Sequence, residues 1–210
     1  MTPAALGFRA HSGWAAFVVL GGSARSVELL ERGRIELVEG ATPRQPYHSA
    51  ENLPFEQAEK LIADCMNRAK RLAQKQLADV LRRAESREHT VVTAGVLSAS
   101  GRPLPDLAAT LGSHALIHTA EGEMFRNVLS GACEKHNLPV IRVKERELNA
   151  TAAAQLGIST EEIHSRLSEM GRLVGPPWRQ DEKMAALIAW LALATASNPA
   201  KRGARGTSSA

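Results

Sequence analysis

At 210 residues the chain is long enough to bury one sizeable α/β core, and its 44% hydrophobic and 23% charged residues exclude a wholly disordered or fibrous protein. The formal charge is +4, but Lys201, Arg202 and Arg205 stand in the tail KRGARGTSSA without an acid, which leaves 23 basic against 22 acidic residues, or +1, over 1–200. A single domain is expected over 1–198, followed by a disordered basic tail over 199–210 that serves as a solvated end or adds a salt-sensitive contact to nucleic acid.

The longest apolar runs, WAAFVVL and MAALIAWLALA, are too short to cross a bilayer, and the start of the chain lacks the charged opening and cleavage site of a signal peptide. Cys65 and Cys133 fall in apolar helical stripes without metal-ligand spacing, so they read as reduced core residues in a cytoplasmic protein.

In chain order, Ala4 to Ala10 and Trp14 to Leu20 are apolar and β-prone, joined by HSG, and predict a hairpin. VELLERGRIELVEG then predicts one long edge strand or a second hairpin turning at Gly33, and ATPRQPYHSAENLP, with three prolines, predicts a loop. From Phe55 to Ala84 apolar residues recur at the three-and-four spacing of a long amphipathic helix. TVVTAGVLSA predicts a buried strand. A short helix over Leu104 to Leu111 follows, then a longer one over His114 to His136 with Ser113 as its cap. LPVIRVK predicts the last strand. Three helices close the chain, over Glu147 to Leu156, Thr160 to Leu173 and Trp178 to Ala196. Three antiparallel strands followed by alternating helices and strands fit a mixed sheet with helices on its faces.

This order resembles the ribonuclease H-like fold and, within it, the RuvC-type Holliday-junction resolvases. LGFRAHSGWAAFVVL stands where that family has LGIDPGxxxxGYGVI, NLPVIRVK where it has the strand before the last helices, and DEKMAALIAWLAL where it has DAxDALAIA. The resemblance covers most of 4–196 and implies an α/β fold of antiparallel N-terminal strands followed by parallel ones, flanked by helices. It also implies four carboxylates holding two magnesium ions for phosphodiester cleavage. Matched onto this chain, the first-strand aspartate falls on Arg9. No acid precedes Glu28, none lies between Glu88 and Asp106, and only Asp181 and Glu182 remain near the expected helix. Those two acids are explained equally by the helix dipole.

Several polar residues stand outside that set. At about 100° per residue, His114, His118 and Glu121 fall within about 60° of one another on one helix edge. They suit metal coordination, acid–base work, a nucleic-acid contact or a structural role. His11, in the turn with Ser12 and Gly13, either is a plain turn residue, faces the same cleft or cradles a phosphate, although the aspartate that ATP-hydrolysing relatives need is absent. Tyr47 and His48 sit in the proline-braced RQPYHS, either stacking on a base or packing on the long helix. Arg68, Lys70, Arg71 and Lys75 give that helix a basic face able to track phosphates or simply to stay solvated. Trp190 reads as core or as a contact in a dimer formed through the Ala/Leu-rich last helix.

The sequence therefore predicts a non-catalytic nucleic-acid-binding or regulatory protein, with DNA or RNA as partner, no membrane association, no cofactor and no assigned metal site. Two alternatives stand beside it. One is a metal-assisted hydrolase using His114, His118 and Glu121 with His11 and Asp181; the other is a structural homodimer.

Overall fold

A computed structural model describes residues 1–99 and 103–197. The sheet is built from β1 (Thr2–His11), β2 (Trp14–Ser23), β3 (Ser26–Glu36), β4 (His89–Ser98) and β5 (Val140–Lys144). Their spatial order is β3-β2-β1-β4-β5, with β1, β2 and β3 antiparallel and β4 and β5 parallel to β1. This is the mixed sheet the sequence predicts. The β1–β2 turn is Ser12-Gly13, and Gly13 takes φ +81°, a left-handed conformation that glycine adopts without a steric penalty. β3 is one continuous strand rather than a second hairpin: Gly33 pairs with Phe17 and lies under its ring, where a Cβ would come within 2.8 Å of the ring edge.

Alternation along the strands sends one set of side chains to each face. Leu6, Phe8, Phe17, Val19 and Ile35 join a core formed with α2 (Phe55–Glu85) and α4 (His114–Lys135). Val18, Leu20 and Leu97 join a second core formed with α5 (Leu148–Leu156), α6 (Thr160–Val174) and α7 (Gln180–Ala196). The result is three layers, helices on both sides of the sheet. Cys65 and Cys133 are free and buried, and burial pushes the Cys133 thiol up to about 12.

One part of the sequence reading needs correction. The proline-rich segment expected as a loop contains a short helix, α1 (Pro46–Ala50), because Pro46 occupies the first helical position, where a missing N–H costs nothing. α1 packs on α2 and α4, beside the short α3 (Leu107–Leu111). Of the two readings of the Ala/Leu-rich α7, core or dimer contact, the structure takes the first: Met184 through Ala194 are all buried between the sheet and α5 and α6. Trp190 is core, fully buried, and its indole N–H donates to the Ala24 carbonyl at 2.8 Å. The expected basic tail lies outside the described residues, among which no helix is long and apolar enough to cross a membrane.

Helix α7 approaches the sheet where side chains are missing. A Cβ on Gly7 of β1 would lie 2.0 Å from the Ala185 carbonyl oxygen and 2.7 Å from the Ala189 nitrogen, and one on Gly95 of β4 would lie 2.5 Å from Ile188 Cγ1. A methyl at Gly7 forces the helix backbone away from two strands at once. Gly7→Ala is expected to destabilise the protein by at least about 1–3 kcal/mol, the usual cost of overpacking, measured by urea unfolding. Unchanged stability would contradict this packing.

Candidate functional site

Polar residues gather in two places, one on each layer. The first lies on the α7 face, at the ends of β1, β2 and β5. Arg9 and His11 follow Gly7 at alternate positions of β1 and so share the face on which α7 sits. The Arg9 guanidinium grips Glu145, which directly follows β5, through a fork of two bonds at 2.8 and 3.3 Å, and also donates to Asp181 in the first turn of α7. His11 Nε2 lies 2.9 Å from the same Asp181 oxygen. The His11 ring stacks on Trp14 with centroids 4.3 Å apart, and the Arg34 guanidinium lies 4.0 Å from the centre of that indole. One basic and one aromatic layer thus continue the Arg9 pair across the hairpin.

Electrostatics lock this group. Partial burial by itself would raise the Asp181 carboxyl, but hydrogen bonds and charge from Arg9 and His11 outweigh it and hold the group below the ordinary aspartate value. Burial opposes the charge on Arg9, and its bonds to Glu145 and Asp181 reverse that and raise its pKa. Bidentate guanidinium–carboxylate pairs are among the stronger charge-assisted bonds. Glu145 was not visible from the sequence as a site residue. Its only local sign is its place just after a strand, and the spacing of 136 residues from Arg9 conceals the pair.

The second place lies on the other layer, where α1 meets the start of α4. Glu121 is buried, as its position one turn beyond His118 allows, but its partner is His48 rather than the neighbouring helical histidines. His48 Nδ1 sits 2.9 Å from Glu121 Oε2, and the His48 backbone N–H donates to the same oxygen. Burial raises the Glu121 carboxyl above its ordinary value, and the His48 bonds pull part of the way back. His114 and His118 are exposed, with their Nε2 atoms 3.1 Å apart. Centre to centre, the His114 ring lies 5.5 Å from that of His48 and 4.6 Å from that of His118, and the His48 and His118 rings are 4.5 Å apart. Three imidazoles therefore converge, and they are the residues able to hold a transition metal here.

The structure divides the residues expected to work together. Among the described residues no hydrogen bond or ion pair joins His11 or Asp181 to His114, His118 or Glu121; the two groups belong to opposite faces of the sheet. Tyr47 packs against the core instead of standing free, and burial, followed by the charge of Glu121, raises its pKa. Arg68, Lys70, Arg71 and Lys75 are all exposed. Helical geometry places Arg68, Arg71 and Lys75 on one stripe and Lys70 on another flank. Arg68 donates to the Thr42 hydroxyl at 3.3 Å, and among the described residues Lys70, Arg71 and Lys75 make no ion pair. Farther along, Arg82 and Arg83 are paired with Asp79 and Glu31.

No protein-family model matches the chain, and no curated protein matches its sequence. Solved structures do match. RuvC of Thermus thermophilus superposes with a TM-score of 0.53 at 14% identity, covering 92% of this chain and 95% of that one. The same organism's RuvC in complex with a Holliday junction substrate gives 0.52 at 14% identity, with 92% and 94% covered. The fold is RuvC-like and ribonuclease H-like.

The lowered Asp181 pKa fixes the sign of a pH effect. A carboxylate held below its unfolded value of about 3.8 stabilises the fold above that pH, and the contribution disappears as pH falls through the lower folded value. Asp181→Asn is therefore expected to cost about 1–2 kcal/mol at pH 7, allowing for partial exposure, and progressively less below pH ~4. Urea unfolding of both proteins over this range is the check; an equal deficit at every pH would mean that the carboxylate's charge contributes nothing.

Proposed function

We propose that this protein is a RuvC-fold domain that recognises nucleic acid and does not cut it by two-metal phosphodiester hydrolysis. The observation that carries the reading is Arg9. It occupies the first-strand position at which the RuvC resemblance requires a metal-binding aspartate, and its guanidinium is already shared by Asp181 and Glu145. The residues do not fit a pair of magnesium ions: a fixed positive charge stands between the two carboxylates it binds, and a cation placed beside it meets repulsion. The charge that metal ions would supply is instead built into the chain.

Two further observations support nucleic acid as the partner. The fold is shared with a RuvC whose structure was determined on a Holliday junction, and the stripe of Arg68, Arg71 and Lys75 offers exposed charge that can meet phosphates. Near the β1–β2 turn, Arg34, Trp14 and His11 add a stacked cation and two rings, a combination that suits unpaired bases. Fold likeness favours this class of partner, and these side chains are suited to meet it.

Fluorescence anisotropy with labelled four-way-junction, duplex and single-stranded DNA and with RNA, over a salt series and with magnesium or manganese present, is the test. Binding is expected to weaken linearly in log salt and to leave the probe intact. Replacing Arg68, Arg71 and Lys75 by Glu is expected to weaken binding about tenfold or more and to lower the salt slope by about one for each phosphate no longer engaged. No binding at low salt would remove nucleic acid as partner; metal-dependent cleavage would overturn the non-catalytic half.

A further inference from the structure

The geometry points to a site for one divalent transition-metal ion of the zinc class at the junction of α1 and α4, held by His48, His114 and His118, with Glu121 and Glu51 supporting the ligands. This site is separate from the Arg9 group and independent of the nucleic-acid reading.

The argument begins with spacing. His114 and His118 are four residues apart on α4, so they project from one side of the helix over successive turns. That places two Nε2 atoms 3.1 Å apart, close to the ~3.3 Å separation of two ligands on a tetrahedral ion with Zn–N bonds of about 2.05 Å. His48 arrives from a segment far earlier in the chain, and one nitrogen from each of the three rings lies within 4.8 Å of the others. Three imidazole nitrogens without a thiol match zinc, nickel, cobalt or copper rather than magnesium or calcium.

The surroundings of His48 carry the argument further. Its Nδ1 is engaged by Glu121 Oε2 at 2.9 Å, so that nitrogen carries the hydrogen and Nε2 keeps the lone pair. Nε2 is buried and has no hydrogen-bond partner among the described residues, and neither has Glu121 Oε1. Buried polar atoms without partners cost free energy, and here they have one shared explanation. A divalent ion would accept the Nε2 lone pair and balance the carboxylate behind it. Carboxylate–histidine–metal relays of this form orient ligands in metal sites generally. Glu51 stands behind His114 at charge-contact distance, with an oxygen 3.5 Å from His114 Nδ1, while His114 Nε2 faces His118.

The two exposed histidines border solvent, so an ion held by three nitrogens keeps a fourth position open to water or to an exchangeable oxygen ligand. Bound there, the ion ties α1 to the first turns of α4 and links the β3–α2 crossover to the helical layer. Glu121, which the sequence places on the same helix edge as His114 and His118, acts through His48.

The test uses the full-length protein without an affinity tag, stripped with chelator and titrated with Zn²⁺ and Co²⁺ in the absence of nucleic acid, so it stands or falls apart from the binding experiment above. One equivalent is expected to bind, with the intense visible Co²⁺ absorption of a four-coordinate site and a melting temperature that rises with free zinc. His118→Ala and His48→Ala are each expected to weaken binding by about 100-fold, and Glu121→Gln by about 10–100-fold with stoichiometry unchanged. His118 is exposed, so its variant keeps the fold and decides the outcome should His48→Ala unfold. Absence of saturable binding, or binding that His118→Ala leaves within about twofold of the unaltered protein, would overturn the assignment.

Discussion

The close seating of α7 on Gly7 and Gly95 is the constraint on which the rest of the structure depends. With no Cβ on either strand at the point of contact, the helix backbone lies directly against the sheet, and its residues from Met184 to Ala194 are buried on every side. A helix apolar all round is stable only when enclosed, and α5 and α6 provide the outer cover. This seating also fixes where the N-terminus of α7 ends up. Asp181 in the first turn of that helix meets Arg9, two residues beyond Gly7 on the same face of β1, and Trp178 just before it packs against α6 at Gly171 while donating to the Leu167 carbonyl. Arg32 completes the anchorage by donating to the carbonyls of Val174, Pro176 and Pro177, which pins the α6–α7 connection to β3.

At the sheet end formed by this arrangement, a single residue type sets the chemistry. An aspartate at position 9 would leave Asp181 and Glu145 as neighbouring like charges in need of a cation. Arginine supplies that cation covalently, satisfies both carboxylates, and adds directional bonds that a free ion lacks. The same RuvC-like frame therefore carries fixed charge and stacked rings at this end of the sheet. On the proposed reading, fold and activity separate because the frame depends on backbone packing whereas the reaction depends on a few side chains.

The opposite layer follows another logic. Glu121 is drawn into the interior by the apolar stripe of α4, which includes Ile117, Met124 and Val128, and a buried carboxylate requires a partner. α1 exists at the right place to deliver His48, because Pro46 starts a helix in a segment otherwise rich in loop signals. What reads locally as a helix-edge histidine pair becomes a three-ring group only through that crossover.

By itself the sequence determined the strands, the long helices and their order, because hydrophobic period and turn residues are local properties: the hairpin through Ser12-Gly13 and the amphipathic α2 both follow from neighbours in the chain. It also shows arginine at position 9, where the RuvC resemblance implies a metal-binding aspartate. It did not determine α1, since one proline has opposite meanings at a helix start and within a loop, nor the continuity of β3 through Gly33, which Phe17 of the adjacent strand secures. Only the tertiary structure decided which polar residues meet. Glu145 joins Arg9, His48 joins Glu121, and His11 with Asp181 is set on the opposite face from His114 and His118, because strand alternation and crossover connections bring together residues separated by 73 to 170 positions, and no local periodicity records those separations.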